Sequence, residues 1–317
     1  MRGGVVRLIL PTISITSYCP NMDNGQISQA TAPDFIRHLE PQDAAGGLAL
    51  STEAGWNQNE ADWRLLTRIC VGLGVDYGDR GLVGTAMAWP LEGDYAWINM
   101  VLVTADCRGQ GLARAMMQNL LGELSAQGRT AYLDATKMGE GLYRKLGFKD
   151  GPDLVRLARA ESLPHTSPAV TGPGGVRLMQ ATDIPAAAAL DREVFGLDRR
   201  ELWQNFLARC PQASWVLESP EGQLLGMVTA RDGRTATQLG PLVAVDRTVA
   251  GQLLRQALAE IDGPVIMDVP GSDQIWLQEL AGMGFVAKRS FNRMTRGDKI
   301  LPTDWSRYYA ICGPDFA

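Results

Sequence analysis

A turn that contains two glycines has the residue types and spacing most suited to chemistry. Its residues are Val103-Thr104-Ala105-Asp106-Cys107-Arg108-Gly109-Gln110-Gly111-Leu112-Ala113-Arg114, which predict that a strand ends and a helix begins at Leu112. The two glycines leave the backbone N–H groups of the turn uncovered by side chains. Those donors, with the positive end of the following helix, form a cradle for a phosphate or pyrophosphate. Arg108 adds a fixed positive charge, so the turn predicts a site for a phosphate-bearing cofactor.

The spacing of the turn residues excludes two common nucleotide-binding patterns. A dinucleotide-binding fold needs a third glycine three residues after Gly111, where this chain has Arg114. A P-loop needs Gly-Lys followed by Ser or Thr, which the turn lacks. The turn has a different spacing, in which an arginine, two residues, a glycine, one residue and a small residue follow one another. Arg108, Gly111 and Ala113 are its arginine, glycine and small residue. This pattern resembles the coenzyme A pyrophosphate loop of the GNAT superfamily of N-acyltransferases; the alternative is an ordinary strand–helix connection.

A second motif follows after a short predicted strand, Thr130–Ala135. Its residues are Leu142-Tyr143-Arg144-Lys145-Leu146-Gly147-Phe148, which predict a helix closed by Gly147. In the GNAT family a similar segment, a tyrosine followed by leucine-glycine-phenylalanine, closes over the pantetheine arm of the cofactor. Two motifs in this order make the resemblance specific. The alternative for Tyr143 is a half-buried core aromatic.

The resemblance implies a cofactor, acetyl-CoA, with coenzyme A as the product. Thr136 stands where many GNAT proteins have an asparagine that holds the pantetheine. The cofactor contacts that the resemblance implies are Leu102, Val103, Arg108, Gly109, Gln110, Gly111, Leu112, Ala113, Arg114, Thr136 and Tyr143.

The resemblance also implies direct attack of an amine on the thioester, through a tetrahedral intermediate and without an acyl-enzyme. Tyr143 is then the group that donates a proton or a hydrogen bond to the departing sulfur. A backbone N–H near Leu102 or Val103 polarises the carbonyl oxygen. Asp134 is the candidate base, and its alternative role is to cap a turn. Glu53, Glu140 and ordered water are the other candidates for the base.

The acceptor side of the site is expected in a loop between two predicted helices. Gly55 ends the first helix, and the second begins at Glu60. In GNAT proteins this region commonly shapes the acceptor pocket, which makes Trp56, Asn57 and Gln58 the expected substrate-binding residues. The alternative is that Trp56 packs in the core while Asn57 caps the second helix.

The chain contains an internal repeat with a period of about 140 residues. The elements that position these residues therefore occur twice. The matched pairs are Leu82-Val83-Gly84 with Leu224-Leu225-Gly226, Val103-x-x-Asp106 with Val243-x-x-Asp246, and Gly147-Phe148 with Gly284-Phe285. In the second copy Thr248, Val249 and Leu280 take the places of Arg108, Gly109 and Tyr143. A β-branched valine resists the turn geometry of the first copy. The repeat therefore predicts two copies of one fold, of which the C-terminal copy is degenerate and lacks the cofactor site.

The expected fold class is α/β, with a mixed sheet in two tandem GNAT-like domains. Each domain is a mostly antiparallel, twisted sheet flanked by helices. The expected divisions are a flexible extension over 1–33, a catalytic domain binding acetyl-CoA over 34–160, a linker over 161–175, a degenerate domain over 176–297, and a tail over 298–317 that packs back on the fold.

Composition and net charge limit the classes of partner and of site that this chain is expected to have. The 317 residues carry a net charge of −5, which argues against nonspecific affinity for nucleic acid or an anionic membrane. Five scattered cysteines predict reduced thiols in a cytoplasmic protein, and two histidines are too few for a histidine-rich metal site. No metal is expected.

The expected function is transfer of an acetyl group from acetyl-CoA to a primary amine of a small molecule, by a monomer or a homodimer. One alternative is acetylation of a protein N-terminus or a lysine. The other is a CoA-binding regulatory module without turnover, which would have no use for Tyr143.

Overall fold

The computed structural model describes residues 35–77, 80–160 and 175–317. The predicted extension over 1–33 and nearly all of the predicted linker lie outside the described residues.

Two successive sets of elements have the same order, as the repeat predicts. The first half consists of β1 (Phe35–His38), α1 (Ala44–Glu53), α2 (Glu60–Ile69), β2 (Val71–Asp76), β3 (Leu82–Leu91), β4 (Tyr95–Val103), α3 (Leu112–Ala126), β5 (Thr130–Thr136), α4 (Glu140–Lys145) and β6 (Asp153–Arg159). The second half consists of β7 (Val176–Leu178), α5 (Ile184–Phe195), α6 (Arg200–Arg209), β8 (Trp215–Glu218), β9 (Leu224–Arg231), β10 (Thr237–Ala244), α7 (Arg247–Ala259), β11 (Val265–Pro270), α8 (Gln274–Gly282) and β12 (Val286–Arg296). A short strand, β13 (Tyr308–Ala310), lies in the tail.

Matched ion pairs at the start of each half show the repeat at the level of side chains. The Arg37 guanidinium donates to both carboxylate oxygens of Asp43, each at 2.7 Å. Arg177 makes the same two contacts with Asp183, at 2.7 and 2.9 Å. In each half the pair ties the first strand to the turn that leads into the first helix.

All the described strands belong to one sheet, in the order β1-β2-β3-β4-β5-β12-β6-β11-β10-β9-β8-β7, with β13 beside β10. Among these described strands, only the pairs β4–β5 and β10–β11 are parallel. The expected fold class, a mixed and largely antiparallel sheet with flanking helices, is confirmed. Amphipathic helices cover it; the inner face of α3, for example, buries Met116, Met117, Leu120 and Leu121.

The two halves exchange their last strands. Strand β12 of the second half pairs with β5 of the first, and β6 of the first half pairs with β11 of the second. The expected division at residue 160 therefore marks the end of a sequence repeat and not of a spatial unit. The exchange brings side chains of β12 beside the end of β5.

The tail packs between the two halves. Strand β13 pairs with β10, and the indole Nε1 of Trp97 donates to the carbonyl of Pro314 at 2.9 Å. Phe316 is fully buried and packs edge-on against Phe206, with ring centroids 5.5 Å apart. These contacts fix the position of the residues between Pro314 and Phe316.

Candidate functional site

Strands β4 and β5 diverge in the middle of the first half. Their parallel pairing covers only Tyr95, Ala96 and Trp97, which face Thr130 to Tyr132. On its other side β4 contains a bulge, since Thr85 faces Leu102 whereas Met87 faces Asn99. Met100 in the bulge has φ of 46°, and its carbonyl accepts a hydrogen bond from Thr85 Oγ1 at 2.7 Å. The result is a cleft between the C-terminal ends of two central strands.

This cleft opens into a cavity of about 810 Å³, a volume typical of small-molecule and cofactor sites. Both halves and the tail line it. The lining residues from β4, β5 and the elements after them are Ile98, Asn99, Met100, Val101, Leu102, Val103, Arg108, Ala113, Leu133, Asp134, Thr136, Lys137, Met138, Gly139, Leu142 and Tyr143. The remaining ones are Glu53, Ala54, Trp56, Gln58, Arg156, Arg289, Ser290, Phe291, Pro314 and Asp315.

The glycine turn lies at one end of this cavity, before α3. Gly109 and Gly111 have φ values of 76° and 82°, which residues with a Cβ rarely adopt. A Cβ built at either glycine would meet nothing within 4 Å, so the space beside both is open. Gly111 is the N-cap of α3, and no side chain bonds the first amides of the helix. Those donors and the helix dipole are therefore available to an anion.

The cavity reaches only part of the predicted cofactor-binding set. Leu102, Val103, Arg108, Ala113, Thr136 and Tyr143 line it. Gly109, Gln110, Gly111, Leu112 and Arg114 lie in the adjoining turn and helix start and are not among the lining residues. Arg108 is held over the turn, because its Nε donates to the carbonyl of Val103 at 2.9 Å.

Tyr143 projects from the short helix α4 into the cavity. Its ring packs edge-on against Phe148, with centroids 5.8 Å apart, and Gly139 lies so close that a Cβ there would come within 2.7 Å of the ring. Burial raises the pKa of the phenol well above its ordinary value. The hydroxyl is therefore protonated at neutral pH and can act as a donor.

Asp134, the candidate base, is engaged in an ion pair. Its two carboxylate oxygens accept hydrogen bonds from Nε and Nη2 of Arg293, on the exchanged strand β12, at 2.8 and 2.9 Å. Burial raises the pKa of the carboxyl, and the guanidinium acts in the opposite direction. A bidentate pair leaves the carboxylate poorly placed to take a proton from an amine. Asp134 thus joins the halves, and both of its carboxylate oxygens are engaged by Arg293.

The three expected acceptor residues have different positions. Trp56 and Gln58 line the cavity, but Asn57 does not. The Asn57 amide donates to the carbonyl of Ala236 at 2.9 Å and accepts from the amides of Thr235 and Ala236, each at 3.0 Å. These bonds anchor a loop of the second half. The expected substrate contact at Asn57 is therefore replaced by a contact between the halves.

The other two side chains considered as the base, Glu53 and Glu140, also make structural contacts. Glu53 lines the cavity, where its carboxylate accepts from the Thr104 hydroxyl and the Ala105 amide, each at 2.6 Å. These two bonds lower its pKa, so it is a weaker base than a free glutamate. Glu140 pairs with Arg144 at 3.0 Å and is not among the lining residues.

Sequence reasoning missed several lining residues. Asn99 carries a recognisable signal, since it is a polar residue in the middle of an apolar strand next to the bulge. Asp315 and Arg289 carry none, because only the tail and the strand exchange bring them to the cavity. Burial and the nearby charge of Arg156 lower the pKa of Arg289 to about 10.

The equivalent place in the second half is filled. There the Asp246 side chain caps α7 by accepting from the amide of Val249 at 2.9 Å, so a carboxylate of the protein occupies the anion position. Strand β13 enters the gap between β10 and β11, since it pairs with β10 and the amide of Ile311, the next residue, donates to the main-chain carbonyl of Asp268 at 2.9 Å. Leu280, at the position of Tyr143, is fully buried.

The described residues contain neither a group of metal-binding side chains nor a membrane-spanning helix. Within residues 35–77, 80–160 and 175–317, no three His, Cys, Asp or Glu side chains form a group able to hold a metal ion. Over the same ranges, none of the helices combines the length and apolar character needed to span a bilayer.

Comparison with known families identifies both halves. Two sequence models, each described as an acetyltransferase (GNAT) domain, match residues 73–150 and 187–310. Together these matches span well over half of the chain.

Individual relatives agree with this assignment. A Bacillus subtilis (strain 168) protein named uncharacterized N-acetyltransferase YitH is 26% identical over 256 residues, which are 80% of this chain and 88% of the relative. Among solved structures, a candidate acetyltransferase from Pyrococcus horikoshii has a TM-score of 0.71 at 19% identity and covers 95% of this chain and 100% of its own. A tandem GNAT protein from the clavulanic acid biosynthesis pathway has a TM-score of 0.61 at 14% identity, over 84% of this chain and 100% of its own. The chain therefore belongs to the GNAT superfamily of acyl-CoA-dependent N-acetyltransferases, with two such domains in tandem.

Proposed function

We propose that the first half transfers an acetyl group from acetyl-CoA to a primary amine of a small molecule. The observation that carries this proposal is one cavity with an uncapped glycine turn at one end and the buried phenol of Tyr143 in its wall. The turn fits a diphosphate, because its first helical amides lack a side-chain cap and both glycines have open space beside them.

Several residues of the first half have separate roles in this reaction. The amides of residues 109–113 and the Arg108 guanidinium bind the diphosphate, and Thr136 offers its hydroxyl to the pantetheine arm. Backbone near Leu102 and Val103, beside the bulge, faces the acyl group. Acetyl-CoA, when bound, would supply a thioester for direct attack by the amine nitrogen, with a tetrahedral intermediate before the carbon–sulfur bond breaks. Tyr143 gives its proton to the sulfur and regains one from solvent, and the amine loses its proton to water.

The second half serves as a scaffold and as one wall of the acceptor pocket. Phe291 and Ser290 of β12 and Asp315 of the tail line the same cavity as Tyr143. The Asp246 cap and strand β13 occupy the equivalent site, which supports one cofactor site per chain.

A small-molecule acceptor fits better than a protein substrate. A protein N-terminus or lysine needs an open groove, whereas here Pro314 and Asp315 of the tail and residues 289–291 of β12 add further walls to the cavity. A fused pair already makes a contact between two GNAT folds, which is compatible with a monomer or a homodimer. The described cysteines at 70, 107, 210 and 312 are free thiols, which supports a cytoplasmic location.

A thiol-release assay across a panel of amines, together with acetyl-CoA calorimetry, tests this function. Release of free thiol with a small amine, at a higher kcat/KM than with lysine-containing peptides, is the expected result. Heat of binding without thiol release for any acceptor would favour a CoA-binding regulatory module. The position of Tyr143 in the cavity favours the enzyme.

A further inference from the structure

Three oxygen atoms near the cavity have no hydrogen-bond partner among the described residues. They are Gln58 Oε1, Asn99 Oδ1 and Asp315 Oδ1. Their residues are only 7%, 5% and 1% exposed, and all three residues line the cavity. We call these atoms the oxygen cluster. A buried acceptor without a donor is destabilising, so three of them on residues that are hydrogen-bonded to one another call for a ligand rich in donors.

Hydrogen bonds within the cluster fix which atoms remain available. Gln58 Nε2 donates to Asp315 Oδ2 at 3.2 Å, and Asn99 Nδ2 donates to the main-chain oxygen of Asp315 at 2.8 Å. Each amide nitrogen thus donates to Asp315, and the atom of each amide that has no partner among the described residues is its oxygen. The unpartnered atoms of the cluster are all hydrogen-bond acceptors.

Asp315 is held in place from the side of the second half. Arg231 Nη2 donates to Asp315 Oδ2 at 2.7 Å, and Arg231 Nε donates to Asp62 Oδ1 at 3.0 Å. The neighbours of Asp315 in the tail are fixed by Trp97 and Phe206. The carboxylate is thus preorganised, with one oxygen occupied by Arg231 and the other unpartnered.

We propose that the oxygen cluster binds the protonated amino group of the acceptor. A primary ammonium group brings three N–H donors and a positive charge, which match two amide oxygens and a carboxylate oxygen. Asp315 is then an amine-binding residue supplied by the tail, with Gln58 and Asn99 as its partners. This inference deepens the proposed function and rests on it.

The probes for the test are pairs that differ only in the amino group. They are 2-phenylethylamine with 2-phenylethanol, and 1,4-diaminobutane with 1,4-butanediol. Dissociation constants come from the rise in Tm of the coenzyme-A-saturated protein as each probe is titrated. We expect at least one amine to bind at least about tenfold more tightly than its alcohol, because a charge-assisted hydrogen bond contributes that much.

Two variants remove parts of the cluster, and a third is a matched control. Asp315→Asn and Gln58→Leu should each weaken the binding of that amine at least about tenfold and leave acetyl-CoA affinity unchanged. Asp62→Asn removes the other carboxylate on Arg231, but Asp62 does not line the cavity. That variant should keep the amine affinity of the wild type. If Asp315→Asn fails to fold, Gln58→Leu still decides the question.

Three results would overturn the proposal. In the first, neither amine binds more tightly than its alcohol. In the second, the cluster variants keep full amine affinity, which would mean that ordered water satisfies the oxygens. In the third, Asp62→Asn loses as much affinity as Asp315→Asn, which would reduce the cluster to a support for Arg231. Failure of the proposed function is separate, since it would appear as a lack of acetyl-CoA binding in calorimetry.

Discussion

Asp134 on β5 and Arg293 on β12 face each other where a strand of the second half pairs with a strand of the first half. The guanidinium donates to both carboxylate oxygens, and the two side chains are 0% and 2% exposed. The same pair recurs between Asp268 and Arg156, with hydrogen bonds of 2.8 and 2.7 Å. The exchanged strands are thus each held to their host by a buried ion pair.

Breaking the Asp134–Arg293 pair should destabilise the whole protein. Asp134→Ala leaves the Arg293 charge buried without its partner, and we expect the free energy of unfolding to fall by about 3–5 kcal/mol. Urea unfolding measures this change. Lys299→Ala is the matched control, because the Lys299–Asp94 pair is exposed and should contribute little to stability. Equal losses in the two variants would contradict a structural role for Asp134.

Removing the phenol hydroxyl should lower turnover without loss of cofactor binding. Tyr143→Phe keeps the ring against Phe148 but cannot protonate the leaving sulfur, so kcat should fall about 100-fold or more. The acetyl-CoA dissociation constant should stay within about twofold. Tyr132→Phe is the control, since the Tyr132 hydroxyl bonds to the Lys299 carbonyl and Tyr132 does not line the cavity. Unchanged kcat in Tyr143→Phe would remove this residue from the chemistry.

The raised pKa of Tyr143 also predicts the alkaline limb of the pH profile. A general acid must be protonated, so activity is lost as pH rises through the pKa of the acid. Because burial raises the pKa of this phenol, the loss should begin above pH values where an exposed tyrosine ionises, about 10. A profile of kcat against pH measures this. A fall centred well below that value would assign the limb to another group.

The glycine turn should tolerate no side chain that covers its amides. Gly109→Val introduces the residue that the second copy has at Val249, and we expect acetyl-CoA affinity to fall at least about tenfold. Gly128→Val is the matched control, because Gly128 has a similar φ of 68° and open space but lies beyond the other end of α3. Calorimetry separates the two variants. Equal affinity in both would show that the turn does not bind the cofactor.

Releasing the cap of the second copy should not create a second site. Asp246→Ala removes the bond to the Val249 amide and should destabilise α7 by about 1 kcal/mol. Binding of acetyl-CoA should stay at one equivalent, because β13 still fills the gap between β10 and β11. Thermal unfolding and calorimetry measure the two effects. A second equivalent in this variant would show that the cap alone closes the site.

Local sequence patterns were sufficient for the glycine turn, the helix closed by Gly147 and the repeat. The turn and the helix depend on residues close together in the chain, where spacing determines helix starts, turns and caps, and the repeat depends on short motifs that recur in the same order. The role of Asp134 could not be predicted in this way, since its partner Arg293 is distant in sequence. The sequences of β6 and β12 do not specify which strand each of them pairs with, so the sequence alone does not reveal the exchange.

The acceptor loop over residues 56–58 also shows how far prediction from the sequence can go. The loop over residues 56–58 lies beside the cavity, since Trp56 and Gln58 line it. Periodicity cannot tell which of three adjacent side chains turns to the cavity and which turns to the other half. The Asn57 side chain is hydrogen-bonded to Thr235 and Ala236 of the second half. Asp315 lines the cavity because the packing of the tail places it there.

Calorimetric titration of the intact wild-type chain with acetyl-CoA is the most direct test of the central claim, that the first half alone binds the acyl donor. We expect saturable binding of one equivalent per chain, abolished or strongly weakened by Arg108→Glu. No binding to the wild type, or binding of two equivalents, would contradict the account.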